Sequence, residues 1–296
     1  MKKSILFLFF GLLFPLHAST NTCVDSLLWQ VTKAGEPTSY LLGTVHLGKK
    51  DAKLSPPIET RLARSQVLVT ETTLSPSQAT ILSLKEKMMD DTKSLKQRLG
   101  ESDFAQLIQH LGENAPATSV IDHMRPWAAL SLIIYHKPEG YSEDYGVEMQ
   151  LQKRALELNL DFDALEPLEK SVNYLMAIPE AMALSSLKKM VTYHDELTQQ
   201  STKMLTLYQQ NQGCEIFNNV LDDQWFTRYF SQDETRFWHH LTVDKLLNER
   251  NRHWMPVLLD KLPQKSLFIA VGTAHLYGEN GLIALLQQQG YSVTPQ

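Results

Sequence analysis

Two short motifs in the sequence share the pattern Gly-Thr-x-His, Gly43-Thr44-Val45-His46 and Gly272-Thr273-Ala274-His275. Each follows an apolar run that is typical of a buried strand. Glycine lets the backbone turn sharply where a strand ends, and a histidine just beyond it lies at the sheet edge where α/β folds hold ligands. Imidazole is both a common metal ligand and a common general base. The pair therefore indicates a site for metal or acid–base chemistry.

A carboxylate follows a third strand-like run. Glu71 comes directly after the apolar residues 67–70, and a carboxylate in that position needs a partner, because burial alone opposes its ionisation. If the three parent strands share one sheet, Glu71 emerges at the same edge as His46 and His275. Two imidazoles and one carboxylate can hold a divalent metal such as Mn, Co or Zn, and they leave coordination positions open for catalysis.

A single Gly-x-x-His spacing is weak evidence for a site, but two copies with the same Gly-Thr pair are stronger evidence. With 13 glycines and 10 histidines in 296 residues, chance gives about 0.4 occurrences of Gly-x-x-His. Other signatures are absent from the sequence: it contains no His-Glu-x-x-His, P-loop, Gly-x-Ser-x-Gly or Rossmann glycine pattern. The net charge of −5 and the lack of a basic stripe argue against nucleic acid as a partner.

The elements that must position these residues cluster by type along the chain. Predicted strands lie near both ends and predicted helices fill the middle, so we expect an α+β fold. Its central mixed β-sheet would be built from N- and C-terminal segments, with a large helical insert packed over it. The predicted strands are 27–33, 38–45, 66–71, 162–165, 266–271 and 291–294. The predicted helices are 56–65, 75–89, 94–99, 102–111, 126–135, 146–158 (buried on two sides), most of 168–230, 244–262 and 282–289.

The N-terminus predicts export. Lys2 and Lys3 precede an apolar run at 5–14, and a cleavage region ending in a small residue follows near Ala18. This is the layout of a cleavable signal peptide. We therefore expect a signal peptide at 1–18 and a single domain at 19–296, located in the periplasm or secreted. No later stretch is long and apolar enough for a membrane helix. Two outcomes stay open for Cys23 and Cys214, which are one disulfide or two unpaired thiols.

At these residues the chain resembles the TraB/PrgY/GumN family, which includes the TIKI proteins. The resemblance spans nearly the whole predicted mature chain, in the family's order. The two Gly-Thr-x-His motifs and the intervening glutamate are its specific part. The resembling segments are 40–48, 67–71, Arg125-Pro126-Trp127, Gly146-Val147-Glu148, Ala164-Leu165-Glu166, Glu249-Arg250-Asn251, and 270–278 with Gly290-Tyr291.

The resemblance implies a fold akin to the erythromycin-esterase and ChaN-like group and a metal-dependent hydrolase, which is a metalloprotease in TIKI members. By position, His46, Glu71 and His275 become the metal-binding and catalytic residues. Arg250 would point into the site to stabilise an oxyanion or clamp a carboxylate, or else form an exposed helix ion pair. Glu148 stands where the family usually has aspartate, and we expect it to have an outer-shell or capping role.

Three functions follow as hypotheses. The first is an exported, peptidase-like, metal-dependent hydrolase acting on a peptide or small acyl substrate, with Glu71 as ligand or general base. The second is an esterase-like hydrolase without a metal, in which His46 activates water and Glu71 orients it. The third is a non-catalytic protein that binds a peptide or haem.

Overall fold

The computed structural model describes residues 23–112, 115–133 and 137–296; the predicted signal peptide at 1–18 lies outside the described residues. The strands are β1 (Leu28–Thr32), β2 (Ser39–Thr44), β3 (Gly48–Lys49), β4 (Val67–Thr70), β5 (Tyr141–Ser142), β6 (Asp161–Ala164), β7 (Leu267–Gly272) and β8 (Ser292–Pro295). Six of them form one sheet in the order β6-β4-β7-β2-β1-β8, and β3 pairs with β5.

The six-stranded sheet is mixed. β6, β4, β7 and β2 are parallel neighbours, whereas β1 joins β2 and β8 in antiparallel pairs. β7 comes from the C-terminal part of the chain and lies between β4 and β2 from the N-terminal part. The predicted fold class, with one sheet assembled from both ends of the chain, is confirmed.

The central strands are apolar because both faces of the sheet are covered. Alternate side chains of β2 and β7 point to opposite faces, as the strand period requires. Leu41 and Ile269 join the core formed with the helices near the C-terminus, whereas Leu42 and Phe268 join the core on the other face. This alternation leaves the strand ends, and not the strand faces, as the place for polar side chains.

Helices make up most of the rest of the chain. No helix in the described ranges has the length and apolar content that a membrane crossing needs. The helices are α1 (Pro56–Leu62), α2 (Gln78–Met88), α3 (Leu95–Leu99), α4 (Glu101–Leu111), α5 (Thr118–Asp122), α6 (Pro126–Ile133), α7 (Val147–Glu157), α8 (Leu168–Met176), α9 (Glu180–Thr192), α10 (His194–Gln209), α11 (Gly213–Leu221), α12 (Gln224–Tyr229), α13 (Gln232–His239), α14 (Arg250–Lys261) and α15 (Leu282–Gln288).

The helical insert has an apolar core of its own. Buried residues of α3, α4, α6, α9 and α13 form one cluster, separate from the two clusters that cover the sheet. Leu107, Leu130 and Leu187 are almost completely inaccessible within it, and Trp238 donates its indole N–H to Ser186 Oγ at 3.1 Å. The insert is therefore a packed unit and not a set of connecting loops.

A π-helix over His240–Glu249 leads directly into α14. The sequence pattern predicted an uninterrupted helix over 244–262, and periodicity alone does not separate π from α winding. π-helical turns are rare and occur often at functional sites. Here the transition falls at Arg250, which α14 carries into the interior as a buried residue.

Two other predictions need correction, and one small sheet was missed. α2 begins at Gln78 and not at Ser75-Pro76, because the Ser77 side chain caps it by accepting from the Thr80 N–H. α7 is not buried on two sides, since Met149 and Leu156 are exposed. The small sheet of β3 and β5 was not predicted, because two-residue strands carry no periodic signal.

Glu234 joins α13 to α9. It completes a capping box with Ser231, whose N–H lies 2.7 Å from Glu234 Oε2. The same carboxylate accepts from Ser185 Oγ and Lys189 Nζ of α9, each at 2.5 Å. Burial opposes ionisation of Glu234, but these donors outweigh burial and lower its pKa to about 2.

We expect Glu234→Gln to lower the free energy of unfolding by about 2 kcal/mol at pH 7. Because the folded pKa lies below the unfolded value, this stabilisation is complete above about pH 4.5 and is lost as the pH falls toward 2. Urea unfolding at pH 7 and pH 3 measures both effects. The control is Asp233→Asn, which changes an 85% exposed side chain on the same turn and should shift the stability by less than about 0.5 kcal/mol. Equal losses in the two variants would contradict the prediction.

Candidate functional site

The two Gly-Thr-x-His motifs lie side by side at one edge of the sheet. β2 and β7 are parallel neighbours, and Thr44 is paired in register with Gly272. The Thr273 hydroxyl donates to the Thr44 carbonyl at 2.9 Å and so links the two turns. β4 lies on the other side of β7 and delivers Glu71 to the same edge. The juxtaposition that we inferred from strand ends is therefore present in the fold.

A side chain at either motif glycine would crowd its neighbours. A Cβ atom on Gly43 would lie 2.9 Å from Leu276 Cδ1 and 3.1 Å from Thr273 Cα, so a side chain would push the second turn away. A Cβ atom on Gly272 would lie 3.3 Å from a carboxylate oxygen of Glu71. The Gly272 N–H instead donates to that oxygen at 2.7 Å.

Arg250 lies between two carboxylates. Its Nη2 donates to Glu71 Oε2 at 2.7 Å and its Nε donates to Glu166 Oε1 at 2.6 Å. Ser171 adds a hydrogen bond to the same Glu166 oxygen at 2.7 Å. The Arg250 and Glu166 side chains are only 9% and 2% exposed, so these charges require each other. Of the two roles considered for Arg250, the structure excludes the exposed ion pair.

The Glu71 carboxyl is held ionised. Burial opposes its ionisation, but His275, Arg250 and the Gly272 N–H outweigh burial and lower its pKa to about 2. The carboxylate oxygen Oε1 lies 3.7 Å from His275 Nε2. Glu71 is thus an anion in direct reach of the second motif histidine.

Asn251 determines the tautomer of His275. The Asn251 Nδ2 lies 3.1 Å from the His275 carbonyl and 2.8 Å from the Asn280 carbonyl, and carbonyls only accept. The Asn251 oxygen must therefore face the ring, where it lies 2.7 Å from His275 Nδ1. Since that oxygen accepts, Nδ1 carries the proton and Nε2 presents its lone pair to Glu71 and Arg250.

His275 stays neutral in this environment. It is 5% exposed and packs against the Trp254 ring, with centroids 4.5 Å apart. Burial is the main reason that its pKa falls to about 4, and Arg250 acts in the same direction while Glu71 opposes it. At neutral pH this histidine is an acceptor.

His46 differs from His275 in both exposure and charge. Its side chain is 50% exposed, and its Nδ1 lies 3.0 Å from Glu148 Oε1. Thr44 Oγ1 donates to the same oxygen at 2.5 Å. Glu148 is the main reason that the pKa of His46 rises to about 9, although burial opposes the rise. Glu148, at the start of α7, thus contacts the first motif histidine directly.

We expect the two motif histidines to titrate at opposite ends of the pH range in metal-free protein. His275 should remain the neutral Nδ1–H tautomer down to about pH 5, and His46 should remain charged up to about pH 8. Ring ¹⁵N shifts from histidine-labelled protein in chelator measure both, with His46→Gln and His275→Gln for assignment. Asn251→Ala should remove the tautomer preference of His275. Two histidines titrating together near pH 6.5 would contradict this assignment.

The donor types at this cluster, imidazole and carboxylate, are ones that divalent metal ions bind. Each imidazole has a partner at Nδ1, Glu148 for His46 and Asn251 for His275, as is usual for metal-bound histidines. Glu166 Oε2 is buried without a hydrogen-bond partner, and Lys170 Nζ is 4.0 Å from it. Within the described ranges, however, no three His, Cys, Asp or Glu side chains are grouped as a formed metal site.

Two residues with clear contacts in this cluster were given no role from the sequence. Glu166 lies two residues after the end of β6, much as Glu71 follows β4, so the strand-end signal that identified Glu71 could also have identified Glu166. Asn251 carried no such signal, because its position beside His275 depends on the packing of α14 against the second turn. Of the other histidines, His239 pairs with Asp223 at 2.9 Å, and His253 is exposed on α14.

Fold and site together define a mixed-sheet α/β protein with paired Gly-Thr-x-His turns. The chain belongs to the TraB/PrgY/gumN family, whose model matches residues 27–295, and the expected family is confirmed. It is similar to the uncharacterized protein YbaP of Shigella flexneri, with 24% identity over 261 residues that cover 87% of this chain and 90% of that protein. YbaP of Escherichia coli (strain K12) is 23% identical over the same coverage. No solved structure shows a significant match.

Proposed function

We propose that the chain is an exported metal-dependent hydrolase, peptidase-like, that cleaves an acyl bond in a peptide or small acyl substrate. The observation that carries the proposal is the arrangement around His275. Its Nε2 lone pair is directed by Asn251 toward ionised Glu71, which is itself held by Arg250. Such a convergence of acceptor, anion and guanidinium at a sheet edge is typical of a reactive site.

His46, Glu71 and His275 would hold the metal, which we expect to be Mn, Co or Zn. When bound, such an ion polarises a carbonyl group and lowers the pKa of water. Glu71 would complete the ligand set or accept a proton from water. Arg250 Nη1, which lies 3.5 Å from His275 Nε2, would stabilise negative charge that develops on the substrate oxygen.

Export is supported by the covalent structure. Cys23 and Cys214 form a disulfide, with Cα atoms 6.0 Å apart. Of the two alternatives, one disulfide or two unpaired thiols, the structure therefore shows the disulfide. Such bonds persist in oxidising compartments. We propose that the mature chain begins near residue 19 and is periplasmic or secreted.

Metal analysis of the purified mature chain tests the proposal. We expect a near-stoichiometric transition metal that falls at least about tenfold in His46→Ala and in His275→Ala. His253→Ala, which removes an exposed histidine of α14, should keep the metal. The metal-loaded protein should hydrolyse members of a peptide library, and Glu71→Gln should abolish that turnover. An absence of metal in every form after reconstitution with Mn, Co and Zn would reject the metal-dependent mechanism.

One observation favours a second candidate, an esterase-like hydrolase without a metal. The environments of the two histidines separate their pKa values to about 9 for His46 and about 4 for His275. Such separation distinguishes an acid from an acceptor in many active sites. His46 would be the acid here. This differs from the sequence-based hypothesis, in which His46 was the base that activates water. Turnover that survives exhaustive chelation and is lost in His46→Gln would favour this candidate.

A further inference from the structure

A large groove lies beside the proposed site. Its volume is about 910 Å³, within the size range of small-molecule sites. Residues of β1 and β2 form its floor, and residues from the α1 region and from α10 form its walls. Leu28 and Leu42 of the floor and Val147 of α7 are buried core residues that border this space.

The groove borders the first motif without being part of the catalytic cluster. Val45 and Leu47 line it, whereas His46 between them pairs with Glu148. Glu71, Arg250 and His275 do not line it. An occupant would therefore lie next to the His46 pair and leave the buried ion cluster untouched.

The deep part of the groove offers apolar contact, and the buried polar side-chain atoms there have hydrogen-bond partners. Two polar side chains of its wall are hydrogen-bonded within the protein. Tyr208 donates to the Gly43 carbonyl at 3.0 Å, and Gln209 donates to the Tyr141 hydroxyl at 3.0 Å. Of the buried side-chain polar atoms that lack a partner in the described part of the chain, none belongs to the groove. A hydrocarbon chain fits such walls better than a peptide backbone, which would bring polar groups that need partners.

Three lysines give the rim a positive charge. Lys49, Lys50 and Lys53 line the groove together with one acidic side chain, Asp51. Lys49 Nζ lies over the Tyr141 ring, 5.1 Å from its centroid. None of the three lysines forms an ion pair with any carboxylate that the structure describes. The rim is thus complementary to an anionic group.

We propose that this groove binds a long-chain carboxylate of the fatty-acid type. The hydrocarbon chain would lie on the partly exposed apolar side chains of Val45, Leu54 and Ile58, and the carboxylate would contact the rim lysines. Burial of an alkyl chain supplies the affinity, and the lysines orient the chain by its charged end. This binding function does not depend on hydrolysis, because the groove and the ion cluster share no side chain.

Displacement of a fluorescent fatty acid by palmitate tests the proposal on the mature protein with its disulfide intact. We expect saturable binding of palmitate with a Kd below about 10 μM. Lys50→Glu/Lys53→Glu should weaken binding at least about tenfold. Lys85→Glu/Lys153→Glu, which reverses two exposed lysines outside the groove, should bind as wild type. Leu54→Asp on the half-buried wall should abolish binding, with circular dichroism as the check on folding.

Three results would overturn the inference. They are no saturable binding, equal binding of palmitate and its uncharged methyl ester, and displacement by an apolar heptapeptide at lower concentration than palmitate. Glu71→Gln should bind palmitate as wild type does. A protein that binds palmitate but hydrolyses nothing would reject the proposed hydrolase and support the fatty-acid site. A protein that hydrolyses peptides but does not bind palmitate would reject the fatty-acid site and support the hydrolase.

Discussion

Replacement of Arg250 by methionine should lower the free energy of unfolding by about 3 to 5 kcal/mol at pH 7.5. Removing one member of a buried charge cluster leaves its partners without compensation, which costs far more than the net contribution of an exposed pair. The partners here are Glu71 and Glu166, at 2.7 and 2.6 Å. The guanidinium also packs on Trp254, with its carbon 4.6 Å from the ring centroid. The same variant should lose any hydrolytic activity of the site.

The loss in Arg250→Met should depend on pH in a defined direction. In the wild type the folded pKa of Glu71 is lowered to about 2, so its stabilising contribution is present above about pH 4.5 and disappears at lower pH. Without the Arg250 side chain the pKa of Glu71 is lowered less, so the stabilities of wild type and variant should approach each other as the pH falls from about 4.5 toward 2. Unfolding by guanidinium chloride in chelator at pH 7.5 and at about pH 2.5 measures the difference.

Matched variants separate the buried cluster from general effects on α14. Arg252→Met changes an exposed arginine of the same helix and should shift stability by less than about 0.5 kcal/mol. Adding Glu166→Gln to Arg250→Met should recover more than about 1 kcal/mol, because one uncompensated carboxylate is removed. A loss below about 1 kcal/mol in Arg250→Met would show that the ion cluster does not stabilise the fold.

Removal of the disulfide should have an effect of similar size. Cys23 and Cys214 are separated by 191 positions, and cross-linking so long a loop restricts the unfolded chain by about 5 kcal/mol on the chain-entropy estimate. Measured effects are usually smaller, so we expect Cys23→Ser to lower the free energy of unfolding by about 3 to 4 kcal/mol. Reductant should produce the same loss in the wild type and no further loss in the variant.

The disulfide lies close to the second motif, so its removal should also affect the proposed site. Near it, the Cys214 N–H donates to Asp25 at 2.9 Å, and the Tyr277 hydroxyl donates to the Ser26 carbonyl. Tyr277 follows the second motif by two residues. We therefore expect metal affinity to fall in Cys23→Ser as well, measured by competition with a chelator of known affinity. Unchanged stability and affinity in reduced protein would contradict both expectations.

Much of the frame of the site follows from local pattern. The apolar runs before Gly43, Glu71 and Gly272 identify three strands, and their polar successors identify one sheet edge. Those inferences succeed because strand periodicity is a property of neighbouring residues, and because parallel neighbours end at the same edge. The start of α2 and the exposure of α7 were predicted wrongly. Capping and burial depend on contacts that periodicity does not contain.

The sequence by itself determined the fold class, the family, and the strand ends that carry His46, Glu71 and His275. Only the tertiary structure decided that Arg250 is buried between carboxylates, that Asn251 sets the tautomer of His275, and that a basic-rimmed groove adjoins the first motif. The physical reason is distance along the chain. Arg250 and Glu71 are 179 positions apart, and the ionisation of each depends on burial and on charges that folding alone brings within hydrogen-bonding reach.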